Sequence, residues 1–248
     1  GSRFKYFFQS LKNNKLDLKC DYIFVFNNFL SSQYKKYIKS NYHNIGSLKN
    51  NHVNIKRTSI FGHFLLISQF NKNDKNYILF FKKKLLELIN LYISNSDRKL
   101  YILLKSQNTT SQKEEIKFYK KIFKSNCVFE KSFNWKQSYK ILDKHENIIF
   151  MFSTLGYEAI ARKKKVAIIS PNKIRDFNYH FGWPDKFKLK NSFFCTNKLN
   201  YNEIKRILNN ISNCNQNSWE TKYYSLIKNQ MYFNRNNIKL KKIIDKLI

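Results

Sequence analysis

Residues 147–170, "NIIFMFSTLGYEAIARKKKVAIIS", decide the fold. A hydrophobic strand at 147–152 ends in Ser153 and Thr154, a helix at 155–163 follows at once, and a second apolar strand at 165–170 closes the unit. Strand, helix and strand in so short a span make a crossover, and crossovers join parallel strands. Working outward, the alternation continues upstream. "FLLISQF" (64–70) holds a buried strand at 64–68, and "NYILFFKKKLLELINLYISN" (76–95) has the 3.6-residue period of an amphipathic helix. "KLYILLK" (99–105) is a strand, 111–124 a capped helix, 127–130 a short strand and 135–144 a helix. The predicted class is α/β, with a parallel sheet covered on both faces.

The ends of the chain read differently. An irregular aromatic stretch starts at Pro171, and three helices are expected at 201–211, 218–229 and 236–247. Before the alternation begins there is a β-rich run at 22–26, a helical stretch near 32–40 and a polar segment at 41–57 that reads as loop or linker. The boundary falls near Arg57. Residues 58–248 form a Rossmann-like domain with C-terminal helices, and residues 1–57 an incomplete N-terminal segment. The opening Gly1-Ser2 without Met reads as an expression scar, which leaves targeting signals unreadable.

Composition bounds the function. The 248 residues include 47 Lys+Arg against 16 Asp+Glu, for a net charge of +31, yet 42% are hydrophobic and 17% aromatic. Such a chain buries a core and is no disordered basic tail. No apolar run reaches the roughly 20 residues that cross a bilayer. The charge invites a nucleic-acid partner, but 40 of the 47 are Lys and only 7 are Arg, while Asn reaches 33. That is the bias of an A/T-rich genome, and Arg is the better reader of phosphates and bases. Runs such as Lys82 to Lys84 and Lys163 to Lys165 are scattered and read as a solvated face, with nearness to an anionic membrane as a use for it. Cys20, Cys127, Cys195 and Cys214 form no CxxC pair and the five His complete no zinc spacing, so a reduced, cytosolic chain without metal or cofactor is expected.

Parallel sheets bind ligands at the carboxyl ends of their strands, where helix N-termini present free N–H groups to anions. Ser153 and Thr154 stand in such a turn. Gly156 would let a ligand approach the backbone, and Glu158, placed in the first helical turn, could take hydrogen bonds from a ribose or a base. Equally, Ser153 and Thr154 could simply cap the helix, with Glu158 complementing its dipole.

The stretch "FSTLGYEAIARKKKVAIIS" resembles the Ser-Thr-x-Gly-x-Glu-Ala motif of GT-B glycosyltransferases that build bacterial surface polysaccharides. It is most similar to the family that uses CMP-activated 3-deoxy-manno-octulosonic acid (Kdo). "YHNIGSLKNN" (42–51), "FLLISQF" and "FGWPDKFKLKNSFFCTN" (181–197) with Trp219 resemble further segments of that family in the same order. The resemblance covers residues 20 to 220 and implies a CMP-sugar donor, a lipid-linked or oligosaccharide acceptor and a place at the cytoplasmic face of a bacterial membrane. It also implies that Ser153, Thr154 and Glu158 hold the nucleotide, with Ser68 and Gln69 beside them and Lys105 at the donor phosphate or carboxylate. Phe194 and Thr196 match a Phe-Trp-Thr loop, in which Cys195 replaces the Trp. For catalysis it offers Asp21, just before a strand, with His52 as partner; a turn or cap residue is the plainer reading of Asp21. There is no DxD motif for a metal-held donor. A basic nucleic-acid-binding module and a non-catalytic, CMP-sugar-binding partner subunit are the competing functions.

Overall fold

The computed structural model describes Ser10 and residues 17–151, 153–169 and 192–247. Phe152, Ser170 and the irregular stretch from Pro171 to Asn191 lie outside the described residues. Six strands form one parallel sheet: β3 (Ile60–Ile67), β4 (Leu100–Leu103), β5 (Cys127–Glu130), β6 (His145–Phe150), β7 (Lys165–Ile169) and β8 (Cys195–Thr196), in the order β5-β4-β3-β6-β7-β8. The chain runs outward from β3 to one edge, then returns and continues from β6 to the other. The switch point therefore lies between β3 and β6, where doubly wound sheets open a crevice.

Helices cover both faces of the sheet. They are α3 (Asn76–Ser94), α4 (Thr109–Phe123), α5 (Trp135–Lys144), α6 (Thr154–Ala161) and α7 (Tyr201–Asn213), preceded in the chain by α1 (Asn28–Tyr34) and α2 (Leu48–His52). Asparagine starts most of them. The side chains of Asn27, Asn108, Asn134 and Asn200 each accept a backbone N–H in the first turn of the helix that follows, and Ser47 does so for α2. Phe64, Leu65, Ile102, Ile148, Ile149, Val166 and Ala167 fill the centre of the core without solvent contact. Among the described residues no helix is long and apolar enough to cross a membrane.

The N-terminal part differs from expectation. Strand β1 (Leu18–Val25) starts earlier than expected, and the polar stretch 41–57 holds much of β2 (Ile38–Asn44) and all of α2. β1 and β2 pair in parallel around α1 as a separate two-stranded sheet. Its strands are mostly half-exposed, so the apolar signal that marks a buried strand is missing. The expected helix at 218–229 is a chain of short pieces with a π-helical turn at Trp219–Tyr224, and the last helix, α8, spans Ile238–Ile244. The lysine runs divide as well. Lys83, Lys84 and Lys163 are exposed, whereas Lys82, Lys164 and Lys165 are buried and paired: Lys82 with Asp74, Lys164 with Thr58 Oγ1 and the Asp143 carbonyl, and Lys165 with Glu146 and the Cys214 carbonyl.

Candidate functional site

A cavity of about 400 Å³ opens at the switch point. Ile67, Ser68 and Gln69 line it from the end of β3, Leu103 to Lys105 from the end of β4, Ser138 from α5, and Ser153, Thr154 and Leu155 from the start of α6. Five residues named from sequence thus meet in one place: Ser68, Gln69, Lys105, Ser153 and Thr154. Ser153 is the N-cap of α6 in extended conformation, yet its side chain makes no capping bond. Its hydroxyl remains on the cavity wall, beside the amides of the first turn, where a phosphate would be bound. Lys105 is exposed and adds a cation at the same rim.

Beneath this surface lies a buried polar cluster that holds two loops in place. Glu115, without solvent exposure, accepts the Ser68 hydroxyl and the backbone N–H groups of Lys105 (2.9 Å) and Ser106 (3.1 Å). The Tyr119 hydroxyl donates to Ser68 Oγ at 2.9 Å and accepts from Gln69 N at 3.2 Å, and Phe70 N also donates to Ser68 Oγ. Burial pushes the Tyr119 phenol far above its ordinary value, so it stays a donor. Ser68 has spent its one donor and both acceptor positions inward. It shapes the cavity wall and has no hydroxyl bond left for a ligand. Lys82 completes the arrangement, donating to Gln69 O and to Asp74 Oδ2, both at 2.5 Å. Its ammonium is held below the usual lysine range by burial, against the pull of Asp74.

Other named residues stand elsewhere. A Cβ on Gly156 would lie 2.2 Å from the Phe150 ring, so the close approach made there is by a core aromatic and not by a ligand. Glu158 is the fifth residue of α6, just past the first turn in which it was expected, 5% exposed, bonded to Ser47 and Tyr139 and near Arg162. Burial raises its carboxyl above the ordinary range, and those neighbours only partly offset the effect. It ties α6 to the N-cap of α2 behind the cavity. Asp21 is an exposed residue inside β1, beside a register shift and away from that strand's carboxyl end, and it does not line the cavity. His52 ends α2, exposed, with its ring 5.9 Å from that of Trp135. Neither His52 nor Trp135 lines the cavity, whereas Ser138, three residues further along α5, does. Phe194, Cys195 and Thr196 are core residues at β8, Phe194 packing edge-on against the buried Trp219.

A family model described as "putative O-antigen biosynthesis protein" matches residues 2–248. The chain belongs to that family. No curated protein sequence matches it. Among solved structures it is similar to the UDP-GlcNAc 2-epimerase of Methanocaldococcus jannaschii in complex with UDP-GlcNAc and UDP, with a TM-score of 0.55 at 12% identity over 91% of this chain and 61% of that one. It is also similar to the GtfA/B complex, with a TM-score of 0.50 at 12% identity over 98% of this chain and 47% of that one. Identities this low establish the fold alone, which is the expected α/β, GT-B-like architecture. The chain spans between about half and three-fifths of the structures it matches. In this O-antigen family member the residues that sequence reading missed are Glu115, Tyr119, Lys82 and Ser138. All four lie inside helices, and only the sheet order shows that they meet the loops after β3 and β4.

Proposed function

We propose that this O-antigen family member is a glycosyltransferase of surface-glycan synthesis whose switch-point cavity binds a nucleotide-activated sugar. The observation that carries this is the meeting of Ser153, Thr154 and the first amides of α6 with Lys105 and Gln69 in one cavity at the carboxyl ends of parallel strands. In the reaction the bond from the anomeric carbon to the donor phosphate breaks, an acceptor hydroxyl forms the new bond, and its proton passes to a base. Lys105 and the α6 amides stabilise the charge on the departing nucleotide, a preorganised electrostatic role. No carboxylate lines the cavity among the described residues, and for the base we retain His52 as the candidate, outside the cavity lining and 5.9 Å ring to ring from Trp135.

The donor we propose is a CMP-linked ketosugar of the Kdo kind. The resemblance of the Ser-Thr-x-Gly-x-Glu stretch to the Kdo family supports it, and Lys105 is the one cationic side chain among the described residues on the cavity wall, which suits one phosphate group better than two. A UDP-sugar is the second reading, favoured by the UDP-GlcNAc and UDP bound in the similar epimerase. The acceptor is a lipid-linked or oligosaccharide glycan, met at the inner face of the membrane, where the +31 charge favours anionic lipid.

Calorimetry with CMP and with UDP tests the reading. We expect CMP to bind more tightly, and Ser153→Ala or Lys105→Ala to weaken it about fivefold, the loss of roughly 1 kcal/mol. Tighter binding of UDP would select the second donor. Absence of binding by either nucleotide would remove the site assignment.

A further inference from the structure

A second cavity, of about 520 Å³, lies at the opposite end of the sheet. Its floor is Gly62 and His63 near the start of β3, and one wall is the chain leaving α3 at residues 95–98. The other wall is a single stripe of α7, on which Tyr201, Lys205, Asn209 and Asn213 recur every four residues. None of the residues placed at the nucleotide cavity lines it. From His63 to Ile67 the two cavities stand roughly 13 Å apart along β3, at about 3.3 Å per residue. Its volume is in the range of small-molecule sites, roughly 300–1,000 Å³.

The lining selects the chemistry of the ligand. Amides, phenols and charged groups dominate, so an apolar ligand would strip them of water without replacing their hydrogen bonds. Two cations, Arg98 and Lys205, face one carboxylate, Asp97. Arg98 is fixed in place: it donates to Gly62 O and, at 3.0 Å, to Asn213 Oδ1, and a guanidinium has five N–H groups to share. Gly62 makes room for it, with a φ of +69° and only 3.2 Å between a would-be Cβ and Arg98 Nη1. Backbone N–H of Lys99 donates to His63 Nδ1 at 3.1 Å, which leaves Nε2 as the protonated, donating nitrogen of the neutral ring. The Tyr92 hydroxyl donates to Asn209 Oδ1 at 2.7 Å and so orients that amide with its NH₂ as donor.

We propose that this cavity binds a sugar unit bearing a carboxylate or a phosphate, with Arg98 and Lys205 at the anionic group and Asn209 and Tyr201 at the hydroxyls. The site stands independently of the nucleotide assignment. Its surroundings are electropositive: His63 is held below the ordinary imidazole range by burial, then by Lys99, Arg98 and His145. A bound anion opposes that field and raises the His63 pKa.

Heteronuclear NMR of the full chain tests the proposal, with glucuronate, glucose 6-phosphate, glucose and inorganic phosphate as probes. A response to glucuronate assigns a uronic acid and a response to glucose 6-phosphate a sugar phosphate. With either, we expect saturable shifts at Arg98, His63 and Asn209, an upward shift of the His63 titration, binding at least fivefold weaker in Lys205→Glu, and unchanged binding in Ser153→Ala. Glucose binding as tightly as the acidic sugars would overturn the anionic part, and inorganic phosphate binding as tightly would overturn the saccharide part. The absence of saturable shifts with both acidic sugars would overturn the whole.

Discussion

At the scale of single residues, several of the side chains that shape the switch-point cavity lie buried beneath its surface. Glu115 is the clearest case, because its carboxylate satisfies two backbone amides and a hydroxyl drawn from different loops. Glu115→Ala strands those donors, at a cost of about 2–4 kcal/mol, and we expect chemical denaturation to show that loss together with weaker nucleotide binding. An unchanged unfolding midpoint would mean the loops hold themselves. Lys164 gives a pH signature. Its Nζ donates to Thr58 Oγ1 and to the Asp143 carbonyl, and burial brings its pKa down to about 8. Between pH 8 and the usual lysine range the unfolded chain keeps a proton that the folded one has released, so folding stability rises with pH there. Lys164→Met should flatten that rise relative to the unsubstituted protein in urea titrations at pH 7.5, 8.5 and 9.5. Ser153, Thr154 and Lys105 were readable from sequence because they sit in the turns after strands. Glu158 misled, since the same spacing that makes a ligand contact also makes a buried tie to Ser47 and Tyr139.

At the scale of elements, strand and helix types in 58–169 were legible from periodicity, and β5 and α5 start and end where the sequence says. The reason is local agreement: apolar strands, amphipathic helices and asparagine caps all point to the same boundaries. β1, β2 and α2 were harder, because a small half-exposed sheet has no continuous apolar face to announce it. Gly156 belongs to this scale. Helix α6 lies so close to β6 that the Phe150 ring occupies the place of a side chain. Gly156→Ala therefore pushes the helix off the strand, and we expect a loss of about 1–3 kcal/mol in thermal unfolding. Phe150→Leu should recover part of it in the double variant; no recovery would show that the ring is not the obstacle.

At the scale of the whole molecule, a buried guanidinium is a central tie between the N-terminal segment and the helices of the large sheet. Arg162 pairs with Asp143 at 2.6 Å, both without exposure, and donates to Asn50 Oδ1 and to the carbonyls of Asn50, Val53 and Asn54. Arg162→Ala leaves the buried Asp143 carboxylate without its ion-pair partner, with the Lys56 N–H still bonded to it at 2.8 Å, and costs about 3–5 kcal/mol. Limited proteolysis should then cut near residues 54–58, and resistance equal to the parent chain would show that other contacts suffice. The last described segment completes the assembly. Asn27 donates to Gln230 O, Tyr232 N to Phe26 O, and Asn51 accepts from Asn234 N while donating to Asn237, and the Tyr232 carbonyl crowds the space a side chain on Gly46 would need. Partners some 200 residues apart in the chain have a consequence for synthesis. Phe26, Asn27 and Asn51 must wait until residues 230–237 have been made before these hydrogen bonds can close. The attachment of the N-terminal region thus closes late, whereas the β1–β2 pairing is local and the central sheet can form as it emerges.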